Sequence, residues 1–567
     1  MKTPINIVYG VEDAPPLGVM LLSGFQHVGL ASIILVFPLL VTREAGIPPR
    51  LALDVLGVSM LVLGAGALLQ AIPRGPIGSG FLCPPVFAAA YLSPSLLAIN
   101  TGGLPLVFGM TVFGGLLEIA LSRFLRPLRP FFPPEISGFV VLMVGLSVGS
   151  FGLRELLGVG AASSLSPAHL AVAAITLATT VGLNIWTHGG PRFFCVLLGM
   201  IIGYAVAATL GVLTWSDFAA VGAAPLVHVP SMAHLGWSFD LRYAIPFGVA
   251  ALASCLRVMG DVTVCQKTND AEWVRPDIRS LSGGVMANGL TNALAGGLGT
   301  LGVNTYTSSI GLAAATGVTS RRIAYAIGGI FCGLAFLPKA SAALMIMPRP
   351  VVAVTLLFAA SFIFVNGLQI IPSRMLDARR TFVVGLSFMA GIAVDLFPGA
   401  LTEAPEELRP LMSSSLVLGT LSALVLNVVF RLGVRQTETL HVEPGPLDAR
   451  RLEDFVEARG AGWGARRDVI ERARFNLTQS IETILESCEP QGPLTIEASF
   501  DEFNLDIRVS YTGAPLELPE GRPTNEEIMA SEEGQRRLAG FLLRRHADQV
   551  QAVHRAGRST VLFHFDH

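Results

Sequence analysis

The stretch GVNTYTSSIGLAAATGVTSRR, residues 302–322, lies between two apolar runs and is too polar for contact with lipid. It combines hydroxyl-bearing side chains with Gly302, Gly311 and Gly317 and ends in an arginine pair. Irregular backbone survives within a bilayer only where it is buried in protein or lines a wet cavity, because unpaired peptide groups are costly in hydrocarbon. Small polar residues can also serve for close helix packing. Hydroxyls clustered beside glycines in a broken span favour a cavity lining over packing.

The composition of the whole chain is that of a membrane protein. Of its 567 residues, 52% are hydrophobic and 14% are charged, whereas charged residues make up about 25% of a soluble globular protein. The sequence therefore predicts a polytopic membrane protein in a lipid bilayer. No cleavable leader precedes the first apolar run, so that run is expected to act as its own signal.

Twelve apolar runs are predicted as spanning helices, each near the roughly 20 residues that a crossing needs. They cover residues 18–40, 51–72, 105–122, 136–153, 168–186, 193–213, 243–264, 280–298, 323–337, 351–371, 381–397 and 412–430. Two further segments are apolar but broken, 79–99 by Pro84-Pro85 and 303–318 by its glycines and hydroxyls. Counting both, we expect an all-α membrane domain with fourteen transmembrane segments in residues 1–435.

Basic residues cluster in alternate loops of this arrangement, for example around Arg123, Arg279 and Arg380, and the opposite loop at 398–411 is acidic. Cytoplasmic loops carry an excess of Lys and Arg. Both termini are therefore predicted to be cytoplasmic, in the inner (plasma) membrane.

The chain repeats itself weakly with an offset of seven segments. FPPEISGFVVLMVGLSVGSFGL, residues 132–153, begins the fifth segment, and MPRPVVAVTLLFAASFIFVNGLQII, residues 347–371, begins the twelfth. The broken segments are the third and the tenth. Since seven is odd, the halves would cross in opposite orientations, as in inverted-repeat secondary transporters whose interrupted segments meet near the midplane. The opening stretch is then half of a substrate site.

Four stretches resemble, in order and spacing, the nucleobase/ascorbate transporter family, which includes the bacterial uracil and xanthine permeases. They are LLSGFQHVGLASIILVFPLL, FFPPEISGFVVLMVGLSVG, GLTNALAGGLGTLGVNTYTSSIGLAAATGVTSRR and IMPRPVVAVTLLFAASFIFVNGLQI. The resemblance covers about residues 15–435. It implies a core domain (spans 1–4 and 8–11), a gate domain (spans 5–7 and 12–14), substrate between short strands in segments three and ten, and a homodimer.

The resemblance also indicates site residues. Gln26 and His27 match a Gln-His pair of the first span, and Phe87 matches an aromatic residue that stacks on the base. His27 and Phe87 could each be a packing residue instead. The family signature in segment ten keeps its Gly-Thr-Gly frame, but its amide or carboxylate pair is replaced by serines. The predicted substrate contacts are Phe87, Arg257, Thr307, Ser308, Ser309 and Gly311, and the predicted surrounding or coupling residues are Gln26, His27, Asp261, Asn288 and Thr316.

Span eight holds the largest departure from the family pattern. Arg257 stands where relatives usually have a Glu that contacts the nucleobase, and in span nine Asn288 stands where relatives often have Asp. Intramembrane charges cost at least about 2.5 kcal/mol each at the centre of a helix and are presumed functional. Arg257 is expected either to snorkel or to pair with Asp261, four residues on along the same helical face. An Arg beside helix N-termini favours an anionic or acceptor-rich ligand.

A coupling ion, proton or sodium, is the partner that the sequence leaves open. Arg257 stays protonated in proteins and Asn288 does not titrate, which leaves Asp261 and His27 as proton carriers. If Arg257 holds Asp261 ionised, the aspartate carries no proton. The prediction is transport that is uncoupled from protons or coupled to another ion.

After about residue 436 the composition changes to that of a soluble domain, predicted as a small cytoplasmic α/β domain of residues 437–567. RRDVIERARFNLTQSIETILESC predicts an amphipathic helix, LTIEASFDEFNLDIRVSYTGAPLEL two paired strands, and GQRRLAGFLLRRHADQVQAVHRAGRSTVLFHF a helix, turn and strand. This order resembles the histidine-kinase-type ATPases, in particular the small anti-sigma-factor kinases.

The nucleotide-binding residues of those kinases are replaced in this domain. Asn476 and Ser480 stand where the kinases have a Glu and a Mg-binding Asn, and Tyr511 stands where they have the adenine-binding Asp. The resemblance therefore implies a degenerate regulatory or dimer-forming module.

The sequence favours a secondary transporter that moves a nucleobase or a similar planar solute by an elevator-like movement. We expect it not to be an enzyme and to have no nucleic acid partner. The alternatives are an anion transporter on the same fold, favoured by Arg257, and a membrane sensor whose soluble domain reports substrate occupancy. The six Cys follow no disulfide framework or metal-ligand spacing, and we expect neither a metal nor a cofactor.

Overall fold

The computed structural model describes residues 3–566 except for 6, 74, 125–132, 159–165, 189, 232–235, 274–275, 374–375, 377, 398–404, 406–407, 431–435, 444–448, 464–466, 489, 502–503, 517, 520, 522, 525–531 and 556. Most of the acidic loop at 398–411 thus lies outside the described residues. The chain divides into two compact units, Met1–Val428 and Val429–His567, and each is described by itself.

The first unit is helical. Its first half contains α1 (Leu17–Ser32), α2 (Val36–Glu44), α3 (Pro49–Gln70), α4 (Ala89–Arg123), α5 (Pro134–Leu157), α6 (Pro167–Trp186), α7 (Gly190–Phe193), α8 (Cys195–Thr209) and α9 (Trp215–Ala223). Its second half contains α10 (Ala244–Asn269), α11 (Ile278–Leu298), α12 (Thr307–Thr316), α13 (Ile323–Ala335), α14 (Pro338–Met345), α15 (Arg349–Ile370), α16 (Ala378–Leu396), α17 (Arg409–Met412) and α18 (Ser415–Phe430). The predicted run 18–40 covers both α1 and α2, and the run 105–122 is the part of α4 that follows non-helical backbone at Gly103. Each of the other ten runs overlaps mainly one of these helices.

Seven helical spans of the described chain are long and apolar enough to cross a membrane, the first of them being α1 and α2 joined into Leu17–Glu44. An eighth is formed if α13 and α14, which are bent by 76° relative to one another, count as one broken span. The structure therefore has the helices of a multi-pass membrane protein, and the number of fourteen segments stays a prediction.

Two short strands lie in the two broken segments. Strand β1 (Pro85–Phe87) pairs antiparallel with β2 (Val303–Thr305), and Val86 lies opposite Asn304 at the centre of the pair. Backbone next to the strand pair is hydrogen-bonded as well, since Ala88 N donates to Gly302 O over 2.9 Å. Pairing of the two strands meets the requirement that buried backbone in an apolar interior be hydrogen-bonded. The expected strands in segments three and ten are confirmed.

Glycines allow helices α5 and α15 of this unit to pack closely against one another. A Cβ on Gly138 of α5 would lie 2.7 Å from the backbone nitrogen of Ile371, and one on Gly367 of α15 would overlap the backbone of Leu142. Small residues let helix backbones approach closely in membranes. Helices α3, α4, α10, α11 and α13 pack as one set, and α5, α6, α8 and α15 pack as another.

The second unit is a sheet covered by helices. Strands β3 (Gln436–Val442), β4 (Leu494–Phe500), β5 (Asn504–Thr512), β6 (Gln549–Arg555) and β7 (Arg558–Asp566) form an antiparallel sheet in the order β3-β4-β5-β7-β6. Helices α19 (Ala449–Gly462), α20 (Arg467–Ser487) and α21 (Glu532–His546) accompany it. Leu477 and Ile481 of α20 are fully buried in the same core as Ile507 and Phe563 of the sheet. The predicted amphipathic helix and the predicted strand pair are confirmed.

The prediction of a single strand after α21 is wrong. The chain forms two strands there, β6 and β7, which pair antiparallel with Arg555 opposite Arg558. Gly557 between them has φ +76°, a backbone conformation that glycine adopts without steric cost and that a tight reversal needs. The single interruption AGR was too short to be recognised as a turn within an alternating pattern.

Candidate functional site

A cavity of about 920 Å³ lies in the first unit, where β1, β2, α10 and α12 face α5 and α15. Most of its wall is apolar, with Phe37, Val140 and Phe358 among the lining residues. Polar side chains line it from both sides. Such a mostly apolar cavity with a small number of polar groups is typical of sites for small molecules.

Two strand-to-helix transitions open onto this cavity. Helix α4 begins at Ala89, and a single residue separates it from β1; α12 begins at Thr307, and a single residue separates it from β2. Ala89, Ala90, Thr307 and Ser308 line the cavity, and neither helix start has a side-chain cap. The first amides of a helix carry partial positive charge. The two helix starts therefore make this side of the cavity suitable for hydrogen-bond acceptors or anions.

Five of the predicted substrate contacts lie on the cavity wall: Phe87, Arg257, Thr307, Ser308 and Gly311. They come from β1, α10 and α12, so the fold brings together residues that are far apart in sequence. The sixth, Ser309, does not line the cavity and is 1% exposed. Successive helical residues point about 100° apart because α-helices have about 3.6 residues per turn, so Ser308 and Ser309 face different neighbours.

Ser309 bonds to His27 instead. Its hydroxyl is hydrogen-bonded to Nδ1 of His27, which joins α1 to α12. His27 is 1% exposed and does not line the cavity. The pair therefore lies behind the cavity wall and fixes the position of the helix that carries Ser308.

Asp261 connects Arg257 to the strand-to-helix transition after β2. Arg257 Nε donates to Asp261 Oδ2 over 3.3 Å, Thr305 Oγ1 donates to the same oxygen over 2.7 Å, and Thr307 Oγ1 donates to Oδ1 over 2.5 Å. Asp261 itself is buried and is not part of the wall. It therefore holds Arg257 and the start of α12 in one arrangement.

The remaining predicted residues lie away from the wall. Thr316 Oγ1 donates to Leu312 O of its own helix over 2.9 Å. Gln26 is half-buried on α1, and no side-chain hydrogen bond of the described residues involves it. Asn288 is buried on α11, where its Nδ2 donates to Glu118 Oε2 over 2.7 Å.

Glu118 is a buried charge that sequence reasoning did not select. It lies on α4, is 0% exposed and accepts hydrogen bonds from Tyr91, Asn288 and Asn292. Asn292 Oδ1 accepts in turn from the backbone nitrogen of Val303 in β2 over 2.5 Å. A single Glu within the apolar run 105–122 was the available signal.

Further polar lining residues were also missed. Asn304 and Tyr306 lie on either side of Thr305, and Asn184, His188, Arg192, Asn366 and Gln369 line the opposite side of the cavity. The amides of Asn366 and Gln369 in the apolar run FVNGLQI were a visible signal. Among the described lining residues there is no Asp or Glu, so the charged side chains of the wall are basic.

Apolar spanning helices around a cavity with a small set of polar groups, reached by two broken segments, define a multi-pass membrane transporter. Residues 18–399 match the permease family of the xanthine and uracil permeases. The chain belongs to this family.

Several curated proteins are similar over nearly their whole length. A protein of Clostridium perfringens named as a purine permease is 29% identical over 432 residues, which are 76% of this chain and 94% of that protein. The xanthine permease XanP of Escherichia coli is 28% identical over 440 residues, 75% of this chain and 95% of XanP. The nucleobase transporter PlUacP of Paenibacillus larvae is 23% identical over 428 residues, 74% of this chain and 97% of PlUacP.

Two solved structures show a more distant likeness. The transmembrane domain of the cyanobacterial bicarbonate transporter BicA aligns with a TM-score of 0.46 and 14% identity, covering 72% of this chain and 97% of that one. The murine anion transporter Slc26a9 in the inward-facing state aligns with a TM-score of 0.49 and 13% identity, covering 77% of this chain and 72% of that one.

Proposed function

We propose that this chain transports a nucleobase, such as uracil, xanthine or urate, through the cavity beside β1 and β2. The family and the names of its relatives as purine, xanthine and nucleobase permeases support this function. The observation that carries the proposal is that one cavity is lined by an aromatic ring, Phe87, a cation, Arg257, and the uncapped start of α12. A planar ring can stack on Phe87 while its polar edge accepts hydrogen bonds from Arg257 and Ser308.

Arg257 sets the polarity of the preferred ligand. Its Nε donates to Asp261. Its two terminal amino groups have no hydrogen-bond partner among the described residues, so these donors are available to the cavity. A guanidinium has no acceptor and binds best to two acceptors in one plane. The preferred substrate therefore presents neighbouring acceptors, and an oxopurine that is anionic at neutral pH, such as urate, fits better than neutral uracil.

The movement that we propose is elevator-like. The two sets of packed helices correspond to the core and gate domains implied by the family resemblance, and the cavity wall draws on both sets. Fourteen segments in an inverted repeat, a homodimer and cytoplasmic termini in the inner membrane belong to the same proposal. The helices that overlap the predicted runs support the segments, the arginine distribution supports the orientation of the termini, and the family resemblance supports the homodimer.

The second unit is proposed to be a regulatory or dimer-forming module. Asn476 and Ser480 are both 0% exposed within its core, so neither side chain is available to a ligand. Tyr511 is 2% exposed and donates to Ala514 O over 2.9 Å, and burial raises the pKa of its hydroxyl. A neutral phenol cannot replace the carboxylate that binds adenine in the ATPases that this unit resembles.

A small-anion carrier is the second candidate function. The basic lining, with Arg192 and Arg257 and without acidic residues among the described lining side chains, favours it. Exchange in proteoliposomes distinguishes the two: vesicles preloaded with unlabelled xanthine, urate, uracil, bicarbonate or a small dicarboxylate are tested for uptake of the labelled compound. Nucleobase exchange supports our proposal. Exchange of bicarbonate or dicarboxylate alone would replace it with the anion carrier, and exchange by the variant Phe87→Ala at the wild-type rate would remove Phe87 from the site.

A further inference from the structure

The carboxylate of Glu118 is held by neutral groups in the interior of the first unit. Tyr91 OH donates to Oε1 over 3.1 Å, Asn292 Nδ2 donates to Oε1 over 2.9 Å, and Asn288 Nδ2 donates to Oε2 over 2.7 Å. No Lys, Arg or His among the described residues forms a hydrogen bond or an ion pair with it. An ionised carboxylate without a cation is costly to bury, and it can relieve this cost by taking a proton.

The titratable groups that face Glu118 are uncharged in their usual forms. They are Tyr91, from the N-terminal part of α4, and the thiol of Cys255, from α10. From α11 the facing side chains are Asn288 and Asn292, and from β2 it is the backbone of Val303. Since none of these carries a charge that would oppose protonation or hold the carboxylate ionised, Glu118 is the group in this cluster that can change its charge.

The two asparagines connect this carboxylate to β2. Asn292 Oδ1 accepts from Val303 N over 2.5 Å, and Asn288 Nδ2 donates to Val303 O over 3.2 Å. The N–H and the C=O of Val303 are thus both hydrogen-bonded to asparagine side chains that also donate to Glu118. The next residue, Asn304, lines the cavity and lies opposite Val86 of β1.

The amide of Asn288 is arranged for an ionised Glu118. Its Nδ2 has three acceptors within reach, Glu118 Oε2, Ser254 Oγ at 3.0 Å and Val303 O. Its Oδ1 is buried and has no hydrogen-bond partner among the described residues. If a proton binds to Oε2, the new O–H and the amide N–H face each other as two donors. Rotation of the amide then lets Oδ1 accept from Oε2–H, and Val303 O loses the bond from Nδ2.

We propose that Glu118 is the proton-binding group of this transporter, and that its protonation state is transmitted to the cavity through Asn288 and the strand residue Val303. The inference rests on the proposed transport function. The sequence-based expectation of uncoupled transport considered only Asp261 and His27 as proton carriers, and Glu118 is a third candidate. Asp261 has Arg257 and two threonines as partners, whereas Glu118 has no cationic partner among the described residues.

The test uses wild-type protein in proteoliposomes with an imposed pH gradient and a clamped membrane potential. Xanthine or urate should accumulate when the outside is acidic, and the initial rate should depend on pH. In Glu118→Gln, exchange between equal pH values should remain, because Gln keeps one acceptor oxygen, while accumulation is lost and the pH profile becomes flat. Glu118→Gln/Asn288→Asp returns a carboxylate to the same cluster and should restore accumulation.

Glu155→Gln, a half-buried glutamate of α5 outside this cluster, is the matched control and should behave as wild type. Wild-type protein that exchanges substrate without accumulating it under the pH gradient would overturn the inference while leaving the transport function intact. Accumulation that persists in Glu118→Gln but disappears in Asp261→Asn would also overturn it and assign the proton to Asp261. If Glu118→Gln does not fold, the wild-type measurement together with Glu118→Gln/Asn288→Asp decides: accumulation in both supports the proposal, and its absence in either contradicts it. Absence of exchange for every nucleobase would instead defeat the proposed function.

Discussion

Arg257 Nε donates to Asp261 Oδ2 over 3.3 Å, one helical turn apart on α10, with side-chain exposures of 21% and 4%. The pairing expected from their spacing of four residues is confirmed. Asp261 is the more buried partner and also accepts from Thr305 and Thr307. The ion pair therefore holds Arg257 on the cavity wall through Nε and leaves its terminal amino groups for the ligand that we propose.

Arg257→Gln should weaken urate binding. A hydrogen bond to a charged group contributes about 1.5–3 kcal/mol, so the Kd for urate should rise about 10- to 100-fold. Arg257→Lys should give an intermediate value, because an ammonium keeps the charge but lacks the planar fork. Binding to purified protein measures this, with Arg242→Gln as the control, since Arg242 pairs with Asp240 away from the cavity. An unchanged Kd in Arg257→Gln would exclude contact with the ligand.

Ser308→Ala should impair uptake without affecting stability, whereas Ser309→Ala should lower the stability of the fold. Ser308 lines the cavity, and loss of one neutral hydrogen bond to the ligand, about 0.5–1.5 kcal/mol, should raise KM about 2- to 10-fold with the melting temperature unchanged. Ser309→Ala leaves His27 Nδ1 without its partner and should lower the free energy of unfolding by about 1–3 kcal/mol. Uptake kinetics and thermal unfolding in detergent measure the two effects. The reverse pattern would place Ser309 and not Ser308 in the site.

Gly302→Ala should destabilise the start of β2. A Cβ at this position would lie 2.6 Å from Cγ of Tyr91, and Tyr91 is 0% exposed and cannot move aside. Overpacking of this kind costs about 1–3 kcal/mol. Gly329→Ala on α13 is the matched control, because no atom lies within 4 Å of its added Cβ. Equal melting temperatures for the two variants would contradict the close packing described for Gly302.

The purified full-length protein should not bind MgATP detectably. The buried Asn476, Ser480 and Tyr511 leave the second unit without an accessible carboxylate or amide at the positions that the resemblance indicates. We expect a Kd weaker than about 1 mM, or a binding free energy less favourable than about −4 kcal/mol. Isothermal titration calorimetry measures it, and micromolar binding, near −8 kcal/mol, would show a working nucleotide site.

The helices and the two broken segments could be predicted because their signals are local. Apolar runs define the spans, and Pro84-Pro85 or the glycines and hydroxyls of 303–318 interrupt them where β1 and β2 are found. The i,i+4 pairing of Arg257 with Asp261 is local as well. Each of these features depends on residues within one continuous stretch of about 20 residues.

The contacts that organise the site could not be predicted in the same way. Glu118 meets Asn288 and Asn292 across 170 and 174 positions of sequence, and His27 meets Ser309 across 282. Ser308 and Ser309 look equivalent in sequence, and only the rotation of α12 decides that one faces the cavity and the other His27. These relationships depend on how helices from distant parts of the chain pack, which composition and spacing do not encode.

The glycine contact between α5 and α15 determines which wall of the cavity can rearrange. At Gly138 and Gly367 the two backbones touch, with no side chain between them, so neither helix can slide or turn against the other without a steric clash. We therefore expect these two helices, one from each half of the sequence, to move together. A change in the shape of the cavity is then expected to come from its opposite wall, formed by β1, β2, α10 and α12, where the buried polar side chains are concentrated.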